Sequence, residues 1–71
     1  MDPKEIFDLI VKADEALKYA TAEKAEARTR QAREWLVQAR DEAMAIDNQA
    51  LVDQANQRLS DIDQLGESGQ A

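Results

Sequence analysis

Two adjacent carboxylate pairs, Asp14-Glu15 and Asp41-Glu42, come closest in this sequence to the equipment of acid–base or metal chemistry. Neighbouring residues on a helix point about 100° apart, so neither pair can share a proton or an ion by itself. Asp61-Ile62-Asp63 lacks the further acids and the loop glycine of a calcium loop. A di-metal carboxylate bundle calls for Glu-x-x-His on its helices, and the chain has no histidine and no cysteine. The hydroxyls of Tyr19, Thr21, Thr29, Ser60 and Ser68 have no base arranged as a nucleophile needs. The expectation is a protein that is not an enzyme, with no catalytic residue, no metal and no cofactor, whose carboxylates lie on solvated helix faces.

The second chemical feature is a basic run, Lys24, Arg28, Arg30 and Arg33. Such a run could read a carboxylate- or phosphate-bearing partner. Lys24 and Arg28 are four apart and share one face, while Arg30 and Arg33 point elsewhere. Glu26 lies four before Arg30 and Glu34 four after it, so pairing within the helix absorbs part of this charge. The expected role is to balance acidic helices on either side; anion or nucleic-acid binding through these four residues is the alternative.

The third feature is a set of large apolar residues off the main helix stripes: Phe7, Val11, Trp35 and Met44. Trp35 stands beside Leu36 and Val37, so that turn of its helix is apolar all round, as a helix touching two neighbours requires. Left partly exposed, a tryptophan is also a common anchor for a partner. These four residues are the candidate contacts for a partner protein.

The elements that hold these residues are helices. Ala25, Thr29, Ala32, Leu36, Ala39, Ala43 and Ile46 follow at spacings of four and three, on one thin apolar stripe. Ile6, Ile10, Ala13, Leu17 and Ala20 form the stripe of a first helix, widened by Leu9 and Ala16; Val52, Ala55, Leu59 and Ile62 form that of a third, with Leu51 beside it. Asp2 as N-cap, Pro3 in the first turn and Glu5 near it start helix one. The lattice breaks after Ala20, which predicts a tight turn near residues 19–22 where Thr21 offers a new N-cap, and Asp47-Asn48 supplies the next stop and start. The predicted helices span about 3–20, 22–45 and 49–65, with Gly66 as C-cap and 66–71 as a disordered tail. One uninterrupted helix from Pro3 to Ile46 is the competing arrangement, long for a globular domain.

Seventy-one residues make at most one domain, read here as 1–65. Thirteen alanines lower the cost of forming helices, but they leave a core small enough that a partner or self-association is plausible. The formal charge is −6. Acid is concentrated at the two ends, while residues 21–46 carry five basic and five acidic side chains. An acidic chain is a poor general nucleic-acid binder, because phosphate neutralisation supplies most non-specific affinity. No apolar run approaches the roughly 18 residues of a membrane span, and no signal peptide is visible at the N-terminus. The default expectation is a cytoplasmic protein without a membrane partner.

In outline, three antiparallel helices with small residues at their contacts resemble tetratricopeptide-type helical pairs. Ala32, Trp35, Leu36, Ala39, Leu51 and Ala55 carry the likeness. The later aromatic of that repeat is missing, Gln38 stands where a large apolar residue is expected, and no proline closes the unit. The outline is also similar to microtubule-interacting-and-transport domains, three-helix units that accept a partner helix in a groove. No specific motif supports either, and no family is assigned on these residues.

The sequence thus predicts an all-α, antiparallel three-helix bundle with a long middle helix and TPR-like helix packing. Its expected function is non-catalytic: binding a partner helix, or a second copy of itself, through apolar surface.

Overall fold

In the computed structural model the chain folds as three helices in the order predicted: α1 (Pro3–Lys18), α2 (Ala25–Ala45) and α3 (Gln49–Gln70). The structure describes residues 1–21 and 23–70, with side chains through Gln64 except at position 22. One contact toward the open end of each hairpin establishes that successive helices run antiparallel. The Met1 ammonium lies 3.3 Å from Glu42 Oε2 near the end of α2. Arg33, early in α2, pairs with Asp63, late in α3.

The start of α1 follows from its first five residues. Asp2 Oδ1 accepts a hydrogen bond from Glu5 N at 2.8 Å, and Glu5 Oε1 accepts one from Asp2 N at 3.3 Å. This reciprocal capping box satisfies two backbone donors that a helix start leaves free, and Pro3 adds a preset φ.

The α2–α3 corner is as economical. Asp47 sits in the left-handed region, at φ 57°. Asp47 N donates to Met44 O at 3.1 Å and Asn48 N to Ala43 O at 2.9 Å, the two bonds of a Schellman ending. Asn48 then caps α3: its Oδ1 accepts from Leu51 N at 3.2 Å.

The α1–α2 joint differs from the expected tight turn. α1 ends at Lys18 and α2 begins at Ala25, so the single-helix alternative is excluded. Thr21 Oγ1 does accept from Lys24 N, at 3.3 Å, but the turn it closes precedes α2. The N-cap of α2 is Lys24, which makes no side-chain cap bond. The expected start at position 22 lies outside the described residues. At the other end of the chain, the backbone of α3 is helical past Gly66 to Gln70, so the expected C-cap at Gly66 is corrected. A glycine costs about 1 kcal/mol inside a helix and does not by itself end one. As a result α2, at 21 residues, is no longer than α3, at 22. The expected tail at 66–71 falls where side chains lie outside the described residues.

The core is one cluster. Ile6, Leu9, Ile10, Ala13 and Ala16 of α1 meet Ala32, Leu36, Ala39 and Ala43 of α2 and Leu51, Val52, Ala55, Leu59 and Ile62 of α3. Ala13, Ala32, Ala39, Ala43 and Ala55 are completely buried, which is what lets three helices approach closely with few bulky side chains. α1 and α3 both pack mainly on α2 and only lightly on each other. The Cα positions extend over 37 × 20 × 13 Å, a flat arrangement with α2 in the middle. No helix of the described residues is long and apolar enough to cross a membrane.

Candidate functional site

The ion pairs establish which flank of each helix faces which neighbour. Arg58 Nε donates to both carboxylate oxygens of Asp14, at 2.9 and 3.0 Å. Phe7, Val11 and Asp14 step four and three along α1, so they share the flank turned to α3. Arg33 of α2 reaches Asp63 of α3; Val37 and Met44, four and eleven residues on, lie on that same flank of α2. Trp35 lies on the opposite flank, where it faces α1 across a cleft it shares with Lys12, Glu15, Ala16, Tyr19 and Arg28.

The four candidate partner contacts therefore do not form one patch. Phe7 (45% exposed) and Val11 (half-buried) border the α1–α3 side, Met44 (57%) the α2–α3 side, and Trp35 the α1–α2 side. Trp35 is half-buried against the core, as are Leu17 and Val37. A different grouping emerges along the long axis. Among the described residues, the large apolar ones left exposed are Met1, Phe7, Tyr19, Met44 and Ile46. All but Tyr19 lie at one end, where α1 begins and α2 stops.

The basic run is divided in the same way. Arg30 pairs with Glu26 one turn back, at 3.4 Å, as the spacing predicts. Arg33 pairs across to α3. Both line a shallow trough of about 640 Å³ along α2, together with Glu34, Val37, Gln38, Asp41 and Glu42. Two bases, Arg30 and Arg33, are followed along it by three acids, Glu34, Asp41 and Glu42, so the trough offers no single-sign field. Arg28 lies on the other flank, in the cleft with Trp35, and Lys24 is exposed at the start of α2.

The carboxylates are engaged in structural contacts. Asp14 binds Arg58, Asp41 binds Arg40 at 3.2 Å and Glu42 the N-terminus; Asp61 accepts from Gln57 at 3.2 Å and Asp63 from Arg33. Glu15, the remaining member of the two pairs, lies in the α1–α2 cleft.

The grouping of Lys12, Glu15 and Tyr19 with Arg28 and Trp35 is a feature that helical periodicity did not predict. Within the sequence, the seven-residue spacings of Arg28 with Trp35 and of Lys12 with Tyr19 hint at it, by placing each pair on one face of its helix. Comparison with known proteins found no matching family model, no matching curated protein and no matching solved structure.

Proposed function

We propose that this chain is a non-catalytic protein-interaction module whose apolar end receives an amphipathic partner helix. One observation carries the reading. Met1, Phe7, Met44 and Ile46 belong neither to the buried core nor to the half-buried residues packed on it, and all four remain 39–57% exposed at the same end of the molecule. Scattered surface apolar residues need no explanation, whereas a grouped set is what binding surfaces share.

The charge around that end describes the partner. Residues 1–10 carry Asp2, Glu5 and Asp8 against Lys4, and residues 40–48 carry Asp41, Glu42 and Asp47 against Arg40. An apolar stripe flanked by lysine or arginine complements this rim, and helix-in-groove recognition reads such a stripe through i, i+3 and i+4 anchors. The engagement of Asp14, Asp41, Asp61 and Asp63 in ion pairs and hydrogen bonds supports a structural rather than catalytic role for the acids.

The test uses a labelled helical peptide of leucine and lysine, followed by fluorescence anisotropy with sedimentation velocity on the protein alone. Saturable binding that falls at least about tenfold in Phe7→Ser/Met44→Ser supports the reading; a tenfold change corresponds to about 1.4 kcal/mol. Equal binding by that variant overturns it. Concentration-dependent dimerisation of the free chain, abolished by the same substitutions, replaces the partner helix with a second copy.

A further inference from the structure

We infer that the cleft between α1 and α2 is a second, separate docking site, one that takes a carboxylate side chain of an acidic peptide. Its lining is Lys12, Glu15, Ala16 and Tyr19 from α1 and its end, and Arg28 and Trp35 from α2. Trp, Tyr and Arg are the residue types that dominate binding energy at protein interfaces, and this cleft places one of each together.

Size decides the class of ligand. The cleft holds about 210 Å³, below the roughly 300–1,000 Å³ of small-molecule and cofactor sites. It suits one side chain inserted from a bound peptide rather than a free ligand of cofactor size.

Charge decides which side chain. Among the described residues, Lys12 and Arg28 make no ion pair, unlike Arg30, Arg33, Arg40 and Arg58. A carboxylate between them would gain charge-assisted hydrogen bonds. Lys18 adds a third cation at the rim, its Nζ 5.6 Å from the centre of the Tyr19 ring. α2 starts without a side-chain cap, so the positive end of its dipole, one turn before Arg28, favours an anion as well. Glu26 of that first turn is engaged with Arg30. Among the residues that line the cleft, the opposing group is Glu15. The overall charge of −6 does not prevent this. In about 0.1 M salt the screening length is roughly 10 Å, while the molecule is 37 Å long, so Asp2, Asp41 and Asp47 at the apolar end are screened from the cleft; Asp8, one helical turn before Lys12, is close enough to oppose the anion in part. The site thus attracts the opposite charge from the partner proposed for the apolar end.

The chain has one tryptophan, and it lines the site. The experiment titrates the full chain with an acetylated, amidated Glu-Leu-Glu-Glu-Leu peptide while following Trp35 emission. The expected result is a saturable change, weakened at least about tenfold by Lys12→Gln/Arg28→Gln and strengthened by Glu15→Gln. The matched Lys-Leu-Lys-Lys-Leu peptide leaves Trp35 unchanged. All three substituted side chains are exposed, and circular dichroism confirms that the variants fold. The inference is overturned by an absent response, by an equal response in Lys12→Gln/Arg28→Gln, or by a single-stranded oligonucleotide that binds more tightly than the peptide. Phe7→Ser/Met44→Ser, which alters neither cleft wall, retains the response, so the two sites stand or fall separately.

Discussion

Arg58 of α3 and Asp14 of α1 are 44 residues apart in sequence, yet Arg58 Nε donates to both oxygens of the Asp14 carboxylate. This bridge joins the two helices that otherwise pack mainly on α2. Arg58 also donates from Nη1 to Gln54 O at 3.2 Å, which holds its guanidinium in place. The side chains are 29% and 46% exposed, so water screens the pair and limits its worth to about 1 kcal/mol or less. A double-mutant cycle of Asp14→Ala and Arg58→Ala, read by urea denaturation, should give a coupling of about 0.5 kcal/mol. Additive effects would show that the bridge orients α3 without stabilising it.

Asp47 occupies a left-handed conformation that suits glycine better. Its place in the Schellman ending is the one where glycine is commonest. Asp47→Gly should stabilise the fold by about 0.5–1 kcal/mol, after allowing for the entropy of glycine in the unfolded chain. Thermal unfolding would then shift upward by roughly 3–6 °C. A lower midpoint would mean that the aspartate makes a contribution beyond its backbone geometry.

The alanine seam is a spacing device. Ala39 has no exposed surface, whereas Ala27 on the same helix faces solvent. Ala39→Leu has no room for its added carbons and should cost about 1–3 kcal/mol or force a rearrangement. Ala27→Leu should change stability by less than about 0.5 kcal/mol. Comparable effects at the two positions would contradict the close helix approach.

Leu36 is the large, fully buried side chain of the middle helix. Leu36→Ala removes packing against both neighbours and should cost about 2–5 kcal/mol. A core of this size rarely supplies more than about 3–5 kcal/mol in total. The variant is therefore expected to be largely unfolded at 37 °C by far-ultraviolet circular dichroism, and a cooperative transition well above that temperature would show a second source of stability.

The capping box gives a local effect. Asp2→Ala removes the acceptor for Glu5 N and should cost about 1 kcal/mol. Amide exchange would accelerate in the first turn of α1 first, with the middle of α2 unaffected.

The helical stripes were legible because burial in a bundle repeats every three or four residues. Ala32, Leu36, Ala39 and Ala43 are buried as the stripe requires, while Ala25 and Thr29 toward its start are half-buried. Ile46 departs from the stripe because α2 has already ended at Ala45, and it is 39% exposed. Periodicity says which face of a helix is inside but not which neighbour lies on its left or right. That depends on the turns, and the joint at residues 19–24 is longer than the break in the stripe predicts. So the sequence grouped Phe7, Val11, Trp35 and Met44 by type, and the fold distributes them over three sides. The partnership of Trp35 and Arg28 with Lys12 and Tyr19 needed the antiparallel register of α1 on α2 to become visible.

Asn48 closes α2 through its backbone and opens α3 through its side chain. One residue serving both helices leaves the α2–α3 corner no slack: an insertion there breaks a cap at once, and a deletion fuses the two helices. Six residues separate α1 from α2, against three at the corner, so tolerance to a changed length belongs to the first joint. In evolution or in engineering, α1 is the arm that can be re-hung, traded between copies or replaced. The α2–α3 hairpin must be inherited as one piece.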